Sequence, residues 1–184
     1  NFLTRRMRQP GKFFIRAAAY PVIAGIMLAT PIALVYGFRA SRFDIAKVHA
    51  MPERTILVDR NGEVIGRIHG EKRQIVPLKN VAEDFRKAIL AREDERFYHH
   101  GAFDPIGIAR ATLKNFQGKR EGASTITQQL ASDIYQLKRG ERRGDLPRQL
   151  DRKLLEIFLA MRLEGAMTKD EILEAYINQI NWGR

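Results

Sequence analysis

Residues 93–100 read Glu93-Asp94-Glu95-Arg96-Phe97-Tyr98-His99-His100, and the reading of the whole chain turns on them. Upstream, Phe85, Ala88 and Ile89 mark one apolar face of a helix, and Glu93 falls four residues after Ile89 on that face. The pattern predicts a helix that ends on carboxylates, an aromatic pair and a histidine, where a core helix would taper into a plain cap. A carboxylate on a core-seeking face is costly unless something uses it. Partial desolvation disfavours the charged form of a carboxylate and makes it a better base near neutrality. Glu93 is therefore a candidate general base, with a helix-end ion pair to Arg92 or Arg96 as the alternative.

Towards the N-terminus, Ala17 through Phe38 form 22 consecutive uncharged residues. As a helix they span roughly 33 Å, enough to cross a bilayer core. Pro21 and Pro31 lie inside the run, which membrane helices tolerate. Arg5, Arg6, Arg8, Lys12 and Arg16 precede it, while Arg39, Arg42 and Lys47 follow, partly offset by Asp44. The heavier basic load before the run predicts a cytoplasmic N-terminus and an outward-facing remainder. A cleavable signal peptide has a shorter apolar region and a small-x-small site, and no such site follows here. The expected organisation is a basic tail (1–16), a transmembrane anchor (17–38), a linker (39–54) and an outward domain (55–184).

The formal net charge of +11 suits anionic lipid, a phosphorylated substrate or nucleic acid as partner. The chain has no cysteine, which excludes disulfides and thiolate metal sites.

Thr55-Ile56-Leu57-Val58 and Val64-Ile65-Gly66-Arg67-Ile68 flank Asn61-Gly62, a hairpin signal, and Gln74-Ile75-Val76 is a candidate third strand. After Pro77 the pattern is helical. Thr125 with Gln128, and Thr168 with Glu171, read as capping boxes. Ile126, Leu130 and Ile134 make an apolar stripe that Leu137 extends. Pro147 suits a first helical turn, and Leu150, Leu154, Ile157, Phe158 and Met161 are the expected buried face of the helix that follows. Ile172, Tyr176 and Ile180 mark the last helix. The outward part is expected to be mainly α, with a small β-hairpin element.

Two further constellations suggest chemistry. Arg148, Arg152 and Glu156 share one helix face at four-residue spacing, with Lys153 beside them. Fixed cations with one orienting carboxylate suit a phosphate; a solvated salt-bridge stripe is the alternative. Gly122-Ala123-Ser124-Thr125-Ile126-Thr127-Gln128-Gln129 gathers hydroxyls and amides at a helix start, where free N–H groups attract anions. His99-His100 lack a partner histidine at i+4 spacing, so no metal site is assigned.

In this order and behind an anchor helix, these segments resemble the peptidoglycan glycosyltransferases (glycosyltransferase family 51) of class A penicillin-binding proteins and monofunctional transglycosylases. The likeness runs from about Thr55 to Arg184 through four motifs. Glu93-Asp94-x-x-Phe97-Tyr98-x-His100 resembles the first, and Gly122-x-Ser124-Thr125-Ile126-Thr127-Gln128-Gln129-Leu130 the second. Arg152-Lys153-x-x-Glu156 resembles the third, and Lys169-x-x-Ile172-Leu173-Glu174-x-Tyr176-Ile177-Asn178 the fourth.

The resemblance implies a lysozyme-like, mainly helical fold with a membrane-associated lobe. It implies that lipid II, the acceptor, is joined to a lipid-linked growing glycan strand at the bacterial inner membrane, with inversion to a β-1,4 link. Glu93 becomes the base and Glu156 the second essential carboxylate. Asp94, Phe97, His100, Ser124, Thr125, Thr127, Gln128 and Gln129 become substrate-site residues, with Arg148, Arg152 and Lys153 meeting the diphosphate. No cofactor is required, a divalent cation such as Mg²⁺ beside the diphosphate being the one candidate. Cell-wall synthesis proteins are candidate partners; nucleic acid is not expected.

The chain departs from the pattern in places. Ser132-Asp133 stand where Lys-Asn is common, a glycine sits at Gly101 rather than two residues after the histidine, and the connection to Arg148 is long. The sequence stops at Trp182-Gly183-Arg184, before the family's fifth motif, so a C-terminally truncated piece is expected. Ser41, Ser124 and Ser132 lack a lysine three positions on, so these residues carry no penicillin-reactive signature. The rival readings are a lysozyme-like hydrolase of the same polymer and a non-catalytic membrane-anchored binding protein.

Overall fold

The computed structural model describes residues 10–48, 56–67, 75–119, 121–139 and 145–180. The chain forms two units, Asn1–Arg39 and Ala40–Arg184.

Helix α1, Pro10–Ser41, runs through the first unit and carries Pro21 and Pro31 without ending. Its stretch Ala19–Ser41, of mean hydropathy 1.9, is long and apolar enough to cross a membrane. Large apolar side chains along it, such as Met27 and Leu28, are exposed. Thr30 donates its hydroxyl to the Ile26 carbonyl at 2.7 Å, just ahead of Pro31.

The second unit is mainly helical, with α2 (Glu83–Glu93), α3 (Pro105–Phe116), α4 (Ile126–Ile134), α5 (Leu146–Ala166) and α6 (Lys169–Gln179). Helix α4 is its hub, packing against both α5 and α6. Ile126, Leu130 and Ile134 are buried along it, as their spacing predicts, and so is Ala131, whereas Leu137 lies beyond its end. From α5 come Leu155, Leu159, Ala160 and Leu163; from α6 come Ile172, Leu173, Tyr176 and Ile177. Each large side chain so buried contributes about 1.5–3 kcal/mol.

The buried face of α5 differs from the expected one. Leu150 and Met161 are exposed, and Leu154, Ile157 and Phe158 are only half-buried. Two apolar stripes run along this helix. The stripe that enters the core also carries Glu156, a residue that a hydrophobic pattern rejects.

Caps divide in the same way. Thr168 and Glu171 form the full reciprocal box at the start of α6. Thr125 caps α4 by accepting the Gln128 N–H at 3.3 Å, but the Gln128 side chain turns away to the Ala102 carbonyl, so the box is half made.

Strands β1 (Ile56–Val58) and β2 (Val64–Arg67) pair antiparallel, with Ile56 opposite Arg67 and Val58 opposite Val64. Asp59 Oδ1 accepts the N–H groups of Asn61 and Glu63, each at 2.8 Å, and Gly62 adopts φ +84°, a left-handed conformation that glycine takes without strain. Ile75 and Val76 form no third strand, and Gln74 lies outside the described residues. The Asn178 side chain instead takes the place of a strand partner for Val76: Oδ1 accepts its N–H and Nδ2 donates to its carbonyl, both at 2.9 Å. Glu174 accepts the Leu78 N–H at 2.7 Å, completing a clamp from α6.

The segment Ala40–Val48 belongs to this second unit. Arg162 of α5 donates to the carbonyls of Ala40 and, at 2.7 Å, Phe43. Tyr135 donates its hydroxyl to the Asp44 carbonyl at 2.9 Å and stacks edge-on against Phe43.

Candidate active site

Glu93 is the last residue of α2, and its neighbour Asp94 ties that helix end to the start of α4. Asp94 Oδ2 accepts the Ile126 N–H at 3.1 Å, where the helix dipole favours negative charge. Its Oδ1 meets His100 Nε2 at 2.7 Å, and His100 Nδ1 lies 2.7 Å from the Gly101 carbonyl. Both side chains are almost fully enclosed, so they act here as a staple between elements.

The staple turns Glu93 towards the first turn of α4. Gln129 Nε2 donates to Glu93 Oε2 at 3.2 Å, and Tyr176 donates its hydroxyl to Gln129 Oε1 at 3.1 Å. Arg92 Nε lies 3.3 Å from Glu93 Oε1, from a side chain that is 85% exposed, while that of Glu93 is 29% exposed. Glu93 thus opens onto a cleft of about 370 Å³, lined also by Arg92, Asp94, Ser124 and Gln129 and by Arg110, Lys114 and Glu121.

Beyond Ser124 lies the second carboxylate. Ser124 Oγ accepts from Lys153 Nζ at 2.7 Å, and the same ammonium reaches Glu156 Oε2 at 3.1 Å. Arg152 pairs with Glu156 Oε1. Burial alone would push the Glu156 carboxyl up; the nearby Ser132 hydroxyl, Lys153 and Arg152 outweigh it and hold the carboxyl below its usual range. Ser132 Oγ is buried and makes no hydrogen bond of normal geometry among the described residues, so its help is that of a nearby dipole.

Several expected cleft residues lie elsewhere. Thr127 is fully buried and donates to Glu164 Oε1 at 2.5 Å. Gln128 is buried with its Nε2 on the Ala102 carbonyl at 2.7 Å, and Thr125 Oγ donates to the same carbonyl at 3.2 Å. Phe97 is a core residue, covered by Lys169 Nζ at 4.3 Å from its ring centroid. These four hold up the site's walls. For Thr125, Thr127 and Gln128 the reason is shared: a helix N-terminus that packs on two neighbours can turn only some of its side chains outward. Arg148 does not join Arg152 and Lys153 but pairs with the N-cap Asp145 at 3.3 Å, its side chain 68% exposed.

Arg110, Lys114 and Glu121, which also line the cleft, are not among the residues expected from the sequence. Arg110 meets Glu95 at 3.1 Å and Glu121 at 3.0 Å, and Lys114 meets Glu121 at 2.5 Å. The i, i+4 spacing of Arg110 and Lys114 was the available signal. Among the described residues, no group of three or more histidine, aspartate or glutamate side chains is arranged to hold a metal.

A family model for transglycosylases matches residues 61–184, and the chain belongs to that family. Among individual relatives, penicillin-binding protein 1A of Escherichia coli (strain K12) is 46% identical over 126 residues, 67% of this chain and 14% of that protein. Penicillin-binding protein 2D of Bacillus subtilis (strain 168) is 37% identical over 174 residues, 92% of this chain and 23% of that protein. Penicillin-binding protein 1A of Aquifex aeolicus (strain VF5) is 36% identical over 134 residues, 72% of this chain and 17% of that protein. The chain therefore spans between 14% and 23% of the length of these relatives.

Proposed function

We propose that this chain is the glycan-polymerising part of a peptidoglycan synthase, anchored in the bacterial inner membrane by α1, with its N-terminus cytoplasmic and residues 55–184 on the outer side. The donor is a growing strand on a polyprenyl diphosphate and the acceptor is lipid II. Glu93 takes the proton of the acceptor's N-acetylglucosamine 4-hydroxyl, and that oxygen attacks the donor's anomeric carbon from the face opposite the diphosphate. The bond to the diphosphate breaks, its electron pair leaves with the diphosphate oxygen, and a β-1,4 link forms with inversion.

Positioned base catalysis contributes about 10²–10⁴-fold. Arg152 and Lys153 meet the developing negative charge, and Glu156 fixes both cations in place beforehand. Ser124 and Gln129 line the substrate cleft, while Asp94, His100, Phe97, Thr125, Thr127 and Gln128 support it. Arg148, exposed at the helix start, contributes long-range charge only. Both substrates are lipid-linked, which gives the anchor a chemical purpose.

The observation that carries this reading is Ser124. It borders the cleft onto which Glu93 opens and accepts a hydrogen bond from the lysine that, with Arg152, grips Glu156. Ser124 thereby stands between the cleft that holds Glu93 and the Lys153–Glu156–Arg152 cluster.

The test is Glu93→Gln in the intact protein, supplied with lipid II in membranes. Polymer formation is expected to fall by at least about 10²-fold with little change in thermal unfolding. Normal polymerisation by the variant overturns the base assignment. Release of fragments from preformed glycan by the wild type, without polymer, favours the hydrolase instead.

A further inference from the structure

The hydrogen bonds around Glu93 have a direction that the side-chain chemistry dictates. An ionised carboxylate only accepts, so Gln129 must turn its NH₂ towards Glu93 Oε2, 3.2 Å away. Its carbonyl oxygen then faces Tyr176, whose hydroxyl, 3.1 Å away, must donate. Tyr176 is 1% exposed, and burial, followed by the charges of Glu93, Asp133 and Asp94, keeps its phenol protonated far above neutrality. It is therefore a permanent donor. Its helix is clamped through Glu174 and Asn178 to residues 76–78 and starts with a full capping box.

We propose that Tyr176 is a positioning residue which, through Gln129, locks Glu93 Oε2 and leaves Oε1 as the oxygen that takes the proton. The neighbour of Oε1 is the Arg92 guanidinium, on a side chain 85% exposed, which an incoming sugar hydroxyl displaces cheaply. The chain Tyr176–Gln129–Glu93 fixes the carboxylate's rotation, and a base displaced by 1 Å loses up to about 10²-fold in rate. The inference rests on the reading of Glu93 as the base.

The experiment is a double-variant cycle in the intact protein, with lipid II polymerisation resolved into kcat and KM. Tyr176→Phe keeps the ring and removes the donor; Gln129→Leu keeps the volume and removes both amide ends. Tyr176→Phe is expected to lower kcat about tenfold with KM unchanged. In the Gln129→Leu background it is expected to have no further effect, because the path is already cut. Thermal unfolding of each variant checks folding, and a purely packing role for Tyr176 would persist in the Gln129→Leu background. Losses that multiply independently, or an unchanged kcat in Tyr176→Phe while Glu93→Gln is inactive, overturn this inference alone. If Glu93→Gln polymerises normally, the base reading falls and this inference with it.

Discussion

Glu93 and Glu156 are the same residue type in opposite surroundings. Glu93 has a side chain 29% exposed, one oxygen held by an amide and the other beside a loosely placed arginine. Glu156 is 3% exposed, with both oxygens taken by cations. A carboxylate with one releasable oxygen can exchange a proton with a substrate. One enclosed and paired with two cations does not; it fixes the positions of those partly exposed cations instead, at the cost of its own desolvation. The difference is one of access: Glu93 opens onto a cleft, while Glu156 is enclosed and tied to two cations.

The sharpest break between the two is in stability. Glu156→Ala removes the carboxylate that pairs with Arg152 and Lys153 and is expected to cost about 2–3 kcal/mol in urea unfolding, since both cations keep part of their surface in water. Glu93→Ala is expected to cost less than about 1 kcal/mol while abolishing transfer. Equal losses in the two melts would erase the contrast. Next comes the staple behind Glu93. Asp94→Ala removes the hydrogen bonds to Ile126 and His100, with an expected loss of about 2 kcal/mol and a fall in kcat, measured by urea titration and turnover together.

Acid probes Glu156 directly. Its carboxyl lies below the ordinary 4.5, so its contribution to stability is present above that pH and is lost as the pH falls through the depressed value. Asp104 adds to the same slope, so the comparison is between wild type and Glu156→Gln, whose stability should fall less steeply below pH 4.5. Parallel curves would sink the assignment. The smallest effect is expected for Arg148→Ala, under about 0.5 kcal/mol by urea unfolding, with a smaller drop in transfer than Arg152→Ala gives.

The helix starts were legible because caps are local: Thr168 with Glu171 and Pro147 each needed only their own turn. The stripe Ile126, Leu130 and Ile134 was legible because it is the one apolar face of a short helix. Helix α5 was misread because it has two apolar stripes, and only packing selects between them. The resemblance implies Thr127 and Gln128 as substrate-site residues, yet both are buried, because a motif's residue types do not reveal which way each side chain points. Arg110 and Lys114 were missed because nothing local says that α3 lines the same cleft as Glu93.

By itself the sequence determined the apolar span, the helical character of the domain and the residue types of its four motifs, since periodicity, capping and composition act within a few turns. Tertiary structure decided which glutamate stays open and which is caged, and which hydroxyls become core. Those outcomes depend on how residues far apart in the chain pack together, as Asp94 does with Ile126 and Lys153 with Ser124. Tyr176 and Glu93 are joined only through Gln129, a relation that no spacing along the chain expresses.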